Sequence, residues 1–327
     1  MTVQQKAFKS RRRYNQWVTN QTLEDFALRY TPVSARRWSA KQVVMTALSA
    51  ITFLALEAIG GALTLTYGFN YVVVAVILVS IIIFALSMPI AINAAKNGLD
   101  IDLLTRGAGF GYLGSTVTSL IYASFTFIFF ALEAAIMAMA LNMLFGLPLH
   151  FGYLIGSVVV IPLVTWGFTF ISRFQQFTQF CWLALQLLPF IFILIREHHV
   201  LQNWIDFPGF ITARDGSFDF LQLGAVCSVL LSLVSQVGEQ VDQVRFLPKP
   251  QHPARWRWYG AVIAAGPGWV VIGAIKILLG SFLAVLAFNY GLGAELASEP
   301  THMYLVAFSY VTHSSRSEEH TSELQSP

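Results

Sequence analysis

Residues 69–94 read FNYVVVAVILVSIIIFALSMPIAINA, twenty-six positions without one charged side chain. A helix rises 1.5 Å per residue, so this run reaches about 39 Å, more than the ~30 Å hydrocarbon core of a bilayer. Hydrocarbon offers no partner to backbone N–H and C=O groups, and a helix satisfies all of them within the segment. In a chain that is 56% hydrophobic and only 11% charged, such a stretch predicts a membrane-crossing helix.

Working outward, comparable runs occupy 43–67, 115–145, 151–172, 174–195, 220–237 and 259–288. An eighth begins near residue 303 and stops at 315, too short to span. The expected fold class is therefore an all-α polytopic membrane protein. Its orientation follows from the basic residues. Lys6, Lys9, Arg11, Arg12, Arg13, Arg29, Arg36, Arg37 and Lys41 precede the first run. Lys96 and Arg106 follow the second, Arg173 the fourth, and Arg245, Lys249, Arg255 and Arg257 the sixth. The opposite loops hold only Arg196 and Arg214. By the positive-inside rule the N-terminus is cytoplasmic, in a bacterial inner membrane, and 202–218 lies outside. The net charge of +3 reflects this asymmetry rather than a nucleic-acid footprint, so no nucleic-acid partner is expected.

Cys181 and Cys227 both fall inside apolar runs and imply neither a disulfide framework nor a metal site. The adjacent His198 and His199 have no Cys or carboxylate at ligand spacing, so no metal centre is expected. No hydrolytic triad, Walker loop or paired-carboxylate pattern is present, and the segment as given is expected not to be an enzyme.

Three ionisable residues interrupt the apolar runs. Glu57 stands beside Gly60 and Gly61 in the first, Glu133 behind an aromatic face of Tyr122, Phe125, Phe127, Phe129 and Phe130 in the third, and Lys276 in the seventh. A charge at that depth is costly unless it faces a cavity or a partner. Two acids and one base admit a substrate or proton role, or interhelical ion pairing. Gly109, Gly111 and Gly114 formally satisfy G-x-G-x-x-G, but a dinucleotide fingerprint needs a preceding strand. The glycines are expected to turn the chain where the third helix enters the bilayer. Glu239, Asp242 and Arg245, at i, i+3 and i+6, suit a salt-bridged helix end before Pro248 and Pro250.

The chain divides into a basic, aromatic-interleaved segment 1–40, a membrane domain 41–315, and 316–327. Within the first, 21–30 reads either as a short amphipathic helix on the membrane surface or as part of a tail packed on helix ends. The stretch 316–326, RSEEHTSELQS, is the translation of a common sequencing-adapter oligonucleotide. The expectation is that the natural sequence departs at or just before Ser315, and that the membrane domain is incomplete.

Leu103-Leu104-Thr105-Arg106 before the third helix, with its Gly-rich continuation, and Asp242-Gln243-Val244-Arg245-Phe246 after the sixth resemble the nucleobase:cation symporter-1 family of purine, cytosine and hydantoin permeases. The resemblance covers about 40–315. It implies a LeuT-like fold of two inverted five-helix repeats, here truncated after seven to eight helices, with solute at the midplane beside broken helices one and six. It places the substrate-binding set on Glu57, Gly60, Gly61, Phe125, Phe129 and Glu133, with the unwound centre of helix one at 57–61. Lys276, Glu239, Asp242 and Arg245 are ion-pair or coupling candidates. The chain departs from the family pattern in two places. Residues 221–245 contain no Phe, Tyr or Trp, and a glutamate stands at 133 where an amide is usual. The wording Leu-Leu-Thr-Arg-Gly-Ala-Gly-Phe-Gly and Gly-Glu-Gln-Val-Asp is closer to a branch fused to histidine kinase and receiver domains. The implied functions are thus a transporter for a small polar or heterocyclic solute with Na+ or H+ as coupling ion and no other cofactor, or the membrane input module of a hybrid sensor kinase. The expected partners are the lipid bilayer, the solute and, in the second case, C-terminal kinase domains.

Overall fold

Among the described residues every apolar run is mainly helical, and no strand occurs. The computed structural model describes residues 30–165, 168–196, 198–211, 218–250 and 255–312. The segment 1–29, most of the expected amphipathic piece 21–30, Arg214 and the tail 313–327 lie outside the described residues.

The first run forms two helices, α1 (Ala40–Ser49) and α2 (Ala55–Tyr67). Ser39 caps α1 by accepting the Gln42 N–H at 3.1 Å. The ladder stops between them at 50–54, where hydroxyls compete for backbone acceptors: Ser49 Oγ donates to the Met45 carbonyl at 2.6 Å and Thr52 Oγ1 to that of Ser49 at 2.8 Å. The break therefore lies N-terminal to 57–61, which is regular helix and not the unwound centre expected there.

Then follow α3 (Phe69–Asn97), α4 (Ile101–Thr105), α5 (Gly111–Phe145), α6 (Leu149–Thr165), α7 (Phe168–Arg196) and α8 (His198–Ile205). After these come α9 (Phe220–Leu231), α10 (Gln236–Val244), α11 (Arg255–Ala265), α12 (Trp269–Asn289), α13 (Ala294–Ala297) and α14 (Pro300–Thr312). Five helical stretches, two of them kinked, are long and apolar enough to cross a membrane: Phe69–Asn97, Ile101–Phe145, Phe170–Ile195, Phe220–Val244 and Arg255–Asn289. Of the seven runs predicted to span, the first is divided by its break and the fourth yields the 17-residue α6.

The main core packs α1 and α2 with α3 and with the pairs α9–α10 and α11–α12. A second cluster joins the C-terminal half of α12 to α7, α8 and α14. The tightest crossing is α2 on α12. A Cβ at Gly60 would collide with the Ile277 carbonyl, and one at Gly280 with the Glu57 carbonyl. The two backbones touch there, as small residues permit at helix crossings in membranes. Gly60 and Gly61 thus seat α2 closely against α12 and α14.

α5, α6 and the outer face of α7 carry most of the exposed large apolar side chains, including Leu113, Phe127, Ile161 and Phe177. Large apolar side chains turned outward suit a hydrocarbon environment. Between α4 and α5 the glycine-rich stretch makes a π-turn in which Gly109 has φ 109°, a left-handed backbone that only glycine adopts cheaply. Helices flank it on both sides, which removes the dinucleotide reading and matches the expected sharp turn.

Arg36, Arg106 and Arg245 lie around the end of α3 and the start of α4. Arg36 is buried and spans from the Thr31 carbonyl at 2.9 Å to those of Ala95 at 3.3 Å, Lys96 at 3.2 Å and Asn97 at 2.5 Å. It so satisfies the orphan carbonyls ending α3, and its charge complements the negative pole of that helix. Trp38 stacks on Phe246 beyond α10, with centroids 4.8 Å apart. Over 31–38 the segment before the first span therefore packs on helix ends.

Candidate functional site

The break in the first span leaves the backbone donors that open α2 without helical acceptors. Glu133 of α5 fills one: its Oε1 accepts the Ala55 N–H at 2.8 Å. A carboxylate at this position also meets the positive pole of α2. The aromatic residues one and two turns before it hold the break from the side. Phe129 packs edge-on against Phe53 at 5.2 Å, and Phe125 lies 4.5 Å from Phe129.

Next to Glu133 opens a cavity of about 710 Å³ between α5, α7 and α14. Its polar wall consists of Glu133, Trp182, Gln186, Thr301 and Tyr304, and the rest is apolar, including Leu54 of the break, Ile136, Met137, Leu185 and Phe308. That volume lies within the range of small-molecule sites, and a mostly apolar wall with few polar groups is their usual composition.

Behind the wall lies the ion pair. Lys276 Nζ is 2.5 Å from Glu57 Oε1, and Gln186 Nε2 donates to the same oxygen at 2.6 Å. Both charged side chains are essentially inaccessible, 2% and 0% exposed. The Lys276 ammonium also sits 4.5 Å over the Trp182 ring. The Tyr304 hydroxyl approaches both Glu57 and Gln186. Gln186 and Tyr304 therefore belong to the cavity wall and to the shell of the ion pair at once.

The expected binding set is thus divided. Glu133 lines the cavity. Phe125 and Phe129 are not in its wall but pack against the break, Gly60 and Gly61 face α12, and Glu57 is the partner of Lys276. The ion-pair alternative is the one realised for Glu57 and Lys276. The contribution of α7 and α14 was not foreseen. Gln186 is one of four glutamines in the run at 174–195, with Gln175, Gln176 and Gln179, so nothing local singles it out; Trp182 and Tyr304 look like any other aromatic in a membrane helix.

The second candidate group sits at the basic end. Arg245 Nε is 3.8 Å from Asp242 Oδ1 and 3.2 Å from the Asp242 carbonyl, so the expected bridge forms. Glu239 instead accepts from Gln236 Nε2 at 2.5 Å. A pair not expected joins Arg106 to Asp102 at 2.6 Å, and Ser119 donates to the other Asp102 oxygen at 3.0 Å. Nearby, burial pushes the Asp100 carboxyl above its usual range against the opposing Leu103 N–H, which it caps at 2.9 Å, and the Arg245 charge. No group of three or more His, Cys, Asp or Glu suited to a metal ion occurs among the described residues. No protein-family model, no curated protein and no solved structure matches the chain.

Proposed function

We propose that this chain is the solute-binding membrane domain of a LeuT-like carrier of the purine/cytosine permease type, taking a small polar or heterocyclic solute into the cavity beside Glu133. The observation that carries this reading is the break at 50–54, whose freed N-terminus and capping carboxylate adjoin a cavity of about 710 Å³. Regular backbone is given up inside a membrane only where protein or a water-filled cavity satisfies it, and broken helices at such cavities are the binding devices of secondary transporters.

Two further features support it. In an inverted repeat of five helices, the sixth span corresponds to the first and the seventh to the second. Contact of α2 with α12, first span with seventh, is then the counterpart of contact of α3 with α9, second with sixth; both pairs pack closely. Arg36, Lys96, Arg106 and Arg245 gather at one end, which suits a cytoplasmic placement of that end in a bacterial inner membrane. The coupling ion in this reading is Na+ or H+.

The test uses the chain in nanodiscs with Cys181 and Cys227 replaced by Ser and Ala140→Cys placed in the cavity wall. A bound solute is expected to slow maleimide labelling of Ala140→Cys and not of a lipid-facing cysteine at Ile128. Equal labelling with and without every solute that raises the melting temperature would overturn the assignment of the cavity. Gradient-driven uptake in proteoliposomes then separates a carrier from an input module that binds without transport.

A further inference from the structure

The ionisable groups around the cavity do not balance. Glu57, Glu133 and Lys276 are two acids and one base, and Lys276 is committed to Glu57 at 2.5 Å. Among the described residues no Lys, Arg or His lines the cavity. Glu133 has for compensation the backbone N–H groups of Leu54 and Ala55, which open α2, the pole of that helix and the more distant Lys276 charge, but no cationic side chain of its own. An anion facing an apolar cavity inside a membrane calls for a cationic partner.

We propose that the cavity binds a protonated organic amine carried on an apolar or aromatic body, with its N–H groups directed to the Glu133 carboxylate. This rests on the reading of the cavity as the solute site and names the class of solute. The size and composition of the wall favour an organic cation over an inorganic ion. A bare metal ion needs about six or more oxygens converging on one point. Here the oxygens of Glu133, Gln186, Thr301 and Tyr304 are distributed around a space of about 710 Å³. Trp182, Tyr304 and Phe308 line the space with aromatic side chains, against which a cation and its apolar body both gain. The Tyr304 hydroxyl in the wall approaches the buried Glu57 carboxylate, an acceptor suited to its O–H. With its O–H directed to Glu57, the Tyr304 oxygen keeps lone pairs free, and an amine with more than one N–H has a donor to spare for it.

The test measures binding to the full chain in nanodiscs by calorimetry. The probes are 2-phenylethylamine, its neutral isostere 2-phenylethanol, uracil as a neutral heterocycle, and NaCl alone. A charge-assisted hydrogen bond corresponds to roughly a ten- to hundredfold gain in affinity, so the amine is expected to bind at least tenfold tighter than the alcohol. Glu133→Gln keeps an oxygen to cap α2 and is expected to remove the preference for the amine over the alcohol. Tyr304→Phe, which leaves the cap untouched, is expected to weaken amine binding severalfold and covers the case in which Glu133→Gln fails to fold. Equal affinity for amine and alcohol, or a preference that survives Glu133→Gln, overturns the proposal. Displacement of the amine by Na+ in a Glu133-dependent manner overturns it in favour of an inorganic ion. Tight uracil binding without amine binding overturns the amine while sparing the solute site. Absence of binding by every probe overturns both.

Discussion

Replacing Lys276 by Met removes the ammonium that faces Glu57 while keeping an unbranched side chain of similar length over Trp182. In the parent, Glu57 Oε1 receives Lys276 at 2.5 Å and Gln186 at 2.6 Å, and the carboxylate is 0% exposed. Without Lys276 the carboxylate has one amide donor and no charge partner. Breaking a buried pair from one side costs about 3–5 kcal/mol. The loss has a ceiling, because the carboxylate escapes by taking up a proton. At pH 7 that costs about 1.4 kcal/mol for each pH unit above an ordinary Glu value of ~4.3, or about 4 kcal/mol. The expected destabilisation of Lys276→Met at pH 7 is therefore about 3–4 kcal/mol, falling to about 1 kcal/mol at pH 5, where the proton is cheaper. The double variant Glu57→Gln with Lys276→Met leaves no charge to compensate and should recover most of the loss. Unfolding in mixed micelles titrated with SDS, followed by tryptophan fluorescence at both pH values, measures all three. A single variant within about 0.5 kcal/mol of the parent at pH 7, or a double variant no better than the single, would refute a charged and mutually dependent pair.

Gly280→Ala should destabilise by about 1–3 kcal/mol or more, because the added methyl meets the Glu57 carbonyl and α2 must move away from α12; the same unfolding assay reads it. At the basic end, Arg36→Ala should cost about 1–3 kcal/mol through the carbonyls it leaves uncapped and should speed hydrogen exchange at the end of α3, whereas Arg37→Ala, exposed beside it, should do neither. In a Cys181→Ser, Cys227→Ser background, Asn203→Cys should react with an impermeant maleimide from outside the cell and Lys249→Cys only after permeabilisation; the reverse pattern would invert the proposed orientation.

That the chain is helical and built to cross a membrane is legible in the sequence alone, because hydrocarbon imposes one solution on long apolar runs and a string such as 69–94 admits no other. The cost of a buried charge likewise singled out Glu57, Glu133 and Lys276 without coordinates. Which acid pairs with the lysine was not legible, since pairing is set by the α2–α12 crossing, between residues 219 positions apart in sequence. The break in the first span was misplaced for a related reason. Gly60 and Gly61 look like the weak point of a helix, yet their lack of a Cβ is used to seat α2 on α12, while the ladder fails earlier, where serine and threonine hydroxyls compete for it and Glu133 reaches in from another helix. The cavity wall belongs wholly to tertiary structure. Trp182, Gln186 and Tyr304 become a site only when α7 and α14 are brought beside α5, and no local pattern records that meeting.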